Sequence, residues 1–149
     1  MERTLAIIKP DAVQNGLTGR ILAHLEDQGF HVRAIRMLRL SQTQAGEFYA
    51  VHRERPFYSS LVTFMTSGPC VPVLLERASA VAHLRTVIGA TDPAQAEHGT
   101  VRALYAESKE RNAIHASDSI ENGHREGAFF FAEADALPSG LSHDAPSVD

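Results

Sequence analysis

The stretch Asn112-Ala113-Ile114-His115-Ala116-Ser117-Asp118-Ser119 puts one imidazole between apolar neighbours and a run of small polar side chains. Three chemistries are open to it: a hydrogen-bonded core histidine, a metal ligand, or a nucleophilic nitrogen. The metal reading finds little support, because the eight histidines are scattered without zinc-site spacing and Cys70 is the single cysteine. A nucleophile needs one ring nitrogen held so that the other stays free. Glu126, on an expected helix eleven residues further on, can reach back to do this. A helix start near Ser117-Asp118 would also offer free N–H groups to an anion. The sequence permits this geometry without establishing it.

Other segments must deliver those neighbours. Thr4–Ile8 is short, apolar and β-branched, which predicts a buried strand. Pro10 biases Lys9 toward extended backbone, so the lysine is expected at the strand's end. Residues 9–16 read as a break. A helix is expected from about Leu17 to Gln28, with Leu17, Ile21, Leu22 and Leu25 on one stripe and Gly29 ending it. His31–Leu40 is the second strand candidate, although neither of its faces is cleanly apolar. Residues 43–52 and 57–68 are expected as helices and Cys70–Glu76 as the third strand. Pro72 cannot donate to a ladder, so it is expected at the first residue of that strand or at a bulge. Ser79 is the candidate cap of a helix burying Val81, Leu84, Val87 and Ile88. Gly89–Arg111 shows turn signals and little periodicity, the pattern of a functional or disordered loop. His115 is expected on a short strand. A helix follows, with Asp118 and Glu121 as a capping-box-like pair, and Gly123 and Gly127 each weaken it by roughly 1 kcal/mol relative to alanine.

Composition narrows the partners. A chain of 149 residues suits one domain rather than two. The formal net charge of −4 gives no bulk attraction to a polyanion or an anionic membrane. Arg33, Arg36, Arg39, Arg53 and Arg55 form a basic stretch with no base-reading motif, so nucleic acid is not expected as a partner. No segment approaches the length of a membrane span, and residues 1–13 do not read as a secretion signal. The lone cysteine excludes an intramolecular disulfide and fits a reducing compartment, the cytoplasm.

Several segments, in order, carry a resemblance: ERTLAIIKPDAV (2–13), FYAVHRERPFY (48–58), FMTSGP (64–69), GATDP (89–93), GTVR (99–102) and NAIHASDS (112–119). Together they resemble the nucleoside diphosphate kinases over Glu2 to Leu137. The resemblance implies an α+β fold, a ferredoxin-like α/β sandwich with a four-stranded antiparallel sheet, spanning 1–137. It leaves a polar tail, 138–149, whose composition permits disorder.

The resemblance further implies reversible transfer of the γ-phosphoryl group from a nucleoside triphosphate to a diphosphate, in ping-pong fashion through a phosphohistidine on His115. In it, Lys9 contacts the transferring phosphate, Tyr49 stands near His115 and Lys9, and Phe57 stacks on the base. Arg85, Thr91 and Arg102 bind the distal phosphates, and Asn112 meets the ribose 3'-hydroxyl. Ser117 and Glu126 support the histidine, Glu126 at Nε2. Mg2+ rides on the nucleotide phosphates rather than in a protein cage. A homo-oligomer is implied, a hexamer slightly favoured over a tetramer. The alternative is a catalytically weak regulatory or nucleotide-binding protein on the same scaffold. Retention of the whole residue set favours the active kinase.

Four positions depart from the family pattern. Ala116 follows the histidine where glycine is usual, and would be strained if φ there were positive. Leu104 stands where an aspartate is frequent, removing a loop contact. Lys109 replaces an apolar residue expected against the base. Gly127 replaces a larger apolar residue beside Glu126, which softens the support of His115.

Overall fold

A computed structural model describes residues 1–138; of the polar tail, residues 139–149 lie outside the described residues. Four strands form one antiparallel sheet: β1 (Glu2–Ile8), β2 (His31–Ile35), β3 (Val71–Arg77) and β4 (Ile114–Ala116), in the order β2-β3-β1-β4. Among the described residues seven α-helices accompany it: α1 (Pro10–Gln14), α2 (Thr18–Asp27), α3 (Gln42–Phe48), α4 (Tyr58–Met65), α5 (Ala80–Ile88), α6 (Val101–Tyr105) and α7 (Ile120–Phe130). This is the expected ferredoxin-like sandwich.

Strand alternation sorts the core into two layers. Ala6 and Ile8 of β1 join Val73 and Leu75 of β3 against Ile21 and Leu25 of α2 and Leu84 and Ile88 of α5. Leu5, Ile7 and Leu74 point the other way, toward Phe48, Phe64, Met65 and Phe130. The central strand β1 is buried from Thr4 to Ile8. Among the described residues, no helix is long and apolar enough to cross a membrane.

The ragged alternation of β2 has a definite cause. Arg33 is 4% exposed and donates to Glu76 Oε1 through Nε and Nη2 at 3.2 and 3.0 Å, while Arg3 Nε donates to Glu76 Oε2 at 2.8 Å. A buried carboxylate thus balances an arginine on a face that is otherwise apolar. Regular β2 pairing ends at Ile35, with only a single bridge, Leu38 to Cys70, beyond it.

Several local expectations are corrected. Residues 9–16 are not simply a break: Pro10 opens α1, where its missing N–H costs nothing. Pro72 is the second residue of β3, opposite Ile7, and the register shift lies instead between Val32 and Ala34. The Pro72 carbonyl accepts from Arg36 N–H at 3.3 Å. A strand residue's nitrogen and carbonyl face the same side, so the ring nitrogen lies beyond the last β2 pair and the β1 ladder loses no donor. Ser79 makes no side-chain cap; its φ is +51°, and Glu2 Oε1 accepts from Val81 N–H at 2.9 Å in its place. Asp118 and Glu121 form no capping box. Ser119 caps α7 by accepting from Asn122 N–H at 3.0 Å. Gly89–Arg111 is not structureless, since it contains a 3-10 turn (Pro93–Gln95) and α6, which Thr100 caps.

Candidate active site

His115 lies at the middle of β4, opposite Ile7 of β1. Its ring stands edge-on to Phe48 and Tyr49, with centroids 5.6 and 6.3 Å away. Glu126, on the inner side of α7, reaches it: His115 Nε2 and Glu126 Oε1 are 2.6 Å apart. Ser117 Oγ donates to the same oxygen at 2.7 Å, and Arg125 Nη2 lies 3.4 Å from Oε2. Burial alone would push the Glu126 carboxyl up. The hydrogen bond and charge of His115, the Ser117 hydroxyl and Arg125 outweigh it and hold the group below its ordinary value. An ionised carboxylate only accepts, so Nε2 carries the proton. In the neutral imidazole that leaves Nδ1 with the lone pair, and Nδ1 has no hydrogen-bond partner among the described residues.

The histidine opens on a cavity of about 430 Å3 lined by Lys9, Tyr49, Phe57, Arg85, Thr91, Arg102, Asn112, His115 and Glu126. Nine of the ten residues singled out from the sequence therefore share one wall; Ser117 stands behind it, fully buried. Arg85, Thr91 and Arg102 also border an adjoining hollow of about 440 Å3.

Lys9 sits where β1 turns into α1, with φ −78° and ψ 162°, the extended backbone expected before proline. It is 8% exposed and donates from Nζ to Asn112 Oδ1 at 2.8 Å. Burial, and then repulsion from Arg102, lowers its pKa from 10.5 to about 8, against the pull of Asp11 and Glu110. Arg102 spends three donors on carbonyls, those of Asn112, Gly89 and Ile114 at 3.3, 3.0 and 2.7 Å. One N–H on each terminal nitrogen remains for a ligand. Burial and neighbouring Arg85 bring its pKa down to about 10. Asn112 Nδ2 donates to the carbonyls of Lys109 and Thr91 at 2.9 and 3.4 Å, which ties the long connection to the site.

Phe57 is 48% exposed at the cavity mouth, tilted against His52 at 5.4 Å. Tyr49 does lie near His115, but its buried hydroxyl bonds neither that residue nor Lys9 and has no partner. Burial drives its phenol far above the usual range. Among the described residues no group of three or more His, Cys, Asp or Glu side chains converges as a metal site.

The four departures now have surroundings. Ala116 is extended in β4 opposite Ala6, and it is not among the residues of positive φ, so the methyl causes no backbone strain. Leu104 is 51% exposed on α6. Lys109 points outward, its side chain 77% exposed and 4.0 Å from Asp92. A Cβ at Gly127 would face Leu74 rather than His115.

Two features escaped the sequence reading. Asp11, 1% exposed, accepts from Ala113 N–H through Oδ2 at 3.1 Å, and Ala113 has φ +74°. Only the position of Asp11 next to Lys9-Pro10 hinted at the first; an alanine carries no signal of positive φ.

A family model described as nucleoside diphosphate kinase matches residues 2–136. This chain belongs to that family. Nucleoside diphosphate kinase from Chlorobium chlorochromatii is 58% identical over 139 residues, covering 93% of this chain and 99% of the relative. That from Gluconacetobacter diazotrophicus is 56% identical over 137 residues, covering 92% and 98%. Among solved structures, the Aquifex aeolicus nucleoside diphosphate kinase superposes with a TM-score of 0.90 at 45% identity, covering 91% of this chain and 99% of that one. The Halobacterium salinarum enzyme, solved in complex with CDP, has a TM-score of 0.90 at 37% identity, covering 96% and 94%. As a nucleoside diphosphate kinase family member, the chain is a nucleotide-binding enzyme of phosphate transfer.

Proposed function

We propose that the enzyme moves the γ-phosphoryl group of a nucleoside triphosphate to a second nucleoside diphosphate through a phosphohistidine on His115. The observation that carries this reading is the 2.6 Å contact of Nε2 with Glu126, which occupies one nitrogen of a ring that lines a cationic cavity and leaves Nδ1 as the other. The Nδ1 lone pair attacks the γ-phosphorus; the P–N bond forms as the bond to the β-phosphate oxygen breaks, and the diphosphate leaves. The second half runs in reverse with a different acceptor. Glu126 offsets the positive charge that grows on the ring, and Ser117 fixes that carboxylate. Lys9, Arg85 and Arg102 meet the phosphate oxygens, with Thr91 beside them. Asn112 orders Lys9 and offers its remaining acceptor capacity to the ribose 3'-hydroxyl. Phe57 supplies a face for the base, and Tyr49 an apolar wall beside the imidazole.

Mg2+ suits this donor set as an ion held by phosphates that Lys9, Arg85 and Arg102 position, since the cavity offers more cations than carboxylates. When bound it neutralises phosphate charge. We assign the catalytic domain to 1–137, the compartment to the cytoplasm, and the assembly to a homo-oligomer, the hexamer ahead of the tetramer. The test is incubation with γ-labelled ATP followed by a different diphosphate. Acid-labile label on His115, discharged by the acceptor, is expected. Label on Ser117 would overturn the assigned nucleophile, and no label would overturn the reading and favour a regulatory protein on this scaffold.

A further inference from the structure

The chain from Asn112 to Ile114 is bent into a γ-turn. Ile114 N–H donates to the Asn112 carbonyl at 2.9 Å, across an Ala113 whose φ is +74°. That conformation is rare and strained for a residue with a Cβ, and it persists only where its surroundings enforce it. It also has a geometric product. Asn112 turns back toward Lys9, while His115, three positions further along, lies in the extended strand β4.

What enforces the turn comes from one short segment. Lys9 N–H donates to the Ala113 carbonyl at 2.9 Å, and Asp11 Oδ2 accepts from Ala113 N–H at 3.1 Å. The two contacts grip both polar groups of the strained residue. Asp11 is buried, and its Oδ1 has no partner. A buried carboxylate is a costly way to accept one hydrogen bond. Burial pushes the Asp11 carboxyl above its ordinary range, against the opposing pull of the Ala113 N–H and of the Lys9 charge.

We propose that Asp11 is a positioning residue of the phosphoryl-transfer site, holding the Ala113 turn that spaces Asn112 from His115 and keeping Lys9 charged. This rests on the function proposed above. Four groups set the charge on Lys9. Arg102 from α6 opposes it; Asp11 from α1 and Glu110 from the loop before β4 favour it; Asn112 Oδ1 accepts from it. Removing Asp11 leaves Arg102 less opposed, so Lys9 deprotonates at lower pH.

The test uses Asp11→Asn, Asp11→Ala and Asp11→Ala combined with Ala113→Gly in the full chain. Asp11→Asn keeps an acceptor for Ala113 and removes the charge. Its alkaline limb of single-turnover His115 phosphorylation should move down by about half a pH unit or more. Asp11→Ala also loses the acceptor, and transfer at neutral pH should fall about tenfold or more while nucleotide affinity changes less than about threefold. Glycine adopts positive φ without strain, so Ala113→Gly in that background should recover part of the rate but leave the limb displaced. Folding of each variant is read by thermal unfolding. If Asp11→Ala is unfolded, Asp11→Asn alone decides through its pH limb. Normal labelling in the unaltered protein, with an unmoved limb in Asp11→Asn, would overturn this inference alone. No labelling of the unaltered protein would overturn the functional reading and this one with it.

Discussion

Oε1 of Glu126 accepts from His115 Nε2 and from Ser117 Oγ together, at 2.6 and 2.7 Å. One carboxylate oxygen thereby fixes both the tautomer and the direction of the imidazole. In Glu126→Gln a neutral amide replaces it. Loss of a charged acceptor is worth about 1.5–3 kcal/mol, so phosphorylation of His115 should slow by about tenfold or more. Nucleotide affinity should stay close to that of the parent. Rapid-quench labelling measures the first and equilibrium binding the second; a parental rate would reduce Glu126 to a packing residue.

Lys9 should make nucleotide binding depend on pH. Its folded pKa is about 8 against an ordinary 10.5. Between those values the unfolded chain holds more protons, so this residue's contribution to stability rises with pH across the window. For binding the sign reverses, because a phosphate beside the amine favours its charged form. Affinity should therefore weaken as pH rises through about 8. Calorimetry at about pH 8.5 in two buffers of different ionisation heat should register proton uptake on binding; zero uptake contradicts the assignment.

The two glycines of α7 should respond unequally to alanine. A Cβ at Gly123 would lie 3.3 Å from the Arg3 carbonyl and 3.4 Å from Thr4 Cα, where backbone must give way. Gly123→Ala should cost about 1–3 kcal/mol. At Gly127 the neighbour is Leu74 Cδ1 at 3.2 Å, the mobile end of a side chain. There the helix preference for alanine, roughly 1 kcal/mol, should offset the contact. Denaturant midpoints of the two variants test the ordering, and a larger loss at Gly127 would refute it.

Gly89 carries a double constraint. Its φ is +86°, and a Cβ would meet Thr100 Oγ1 at 2.5 Å. Its carbonyl also anchors Arg102 Nη1. Gly89→Ala should lower stability by about 1–3 kcal/mol and weaken triphosphate binding in the same variant. Loss of stability with unchanged binding would separate Gly89 from Arg102.

Much of this architecture was legible because its signals are local and repeated. The stripe of Leu17, Ile21, Leu22 and Leu25 spans enough turns to declare α2, and Lys9-Pro10 fixes a strand end by sterics alone. Helices α1 and α6, each five residues long, are too short for any period to register. Arg33 hid the inward face of β2, because its partner Glu76 is 43 residues away and pairing with it removes the cost of burial. The cap on α5 was missed for a similar reason. Ser79 has the right residue type, but Glu2 arrives from across the sheet. At the site, residue types pointed to side chains that the fold gathers around one cavity. The turn at Ala113 stayed invisible, since a conformation imposed by distant contacts leaves no mark on an alanine.

Strand β1 lies at the centre of the sheet, yet both its neighbours come late: β3 begins at Val71 and β4 at Ile114. During synthesis, at about 5–20 residues per second, β1 therefore leaves the ribosome well before either of the strands that enclose it. For seconds Thr4–Ile8 presents two open backbone edges and an apolar face, a state that invites pairing with other chains. Lys9 at its end gains its partner Asn112 only after 103 further residues have been made. A truncated product stopping before β4 would carry every helix up to α6 and still lack His115.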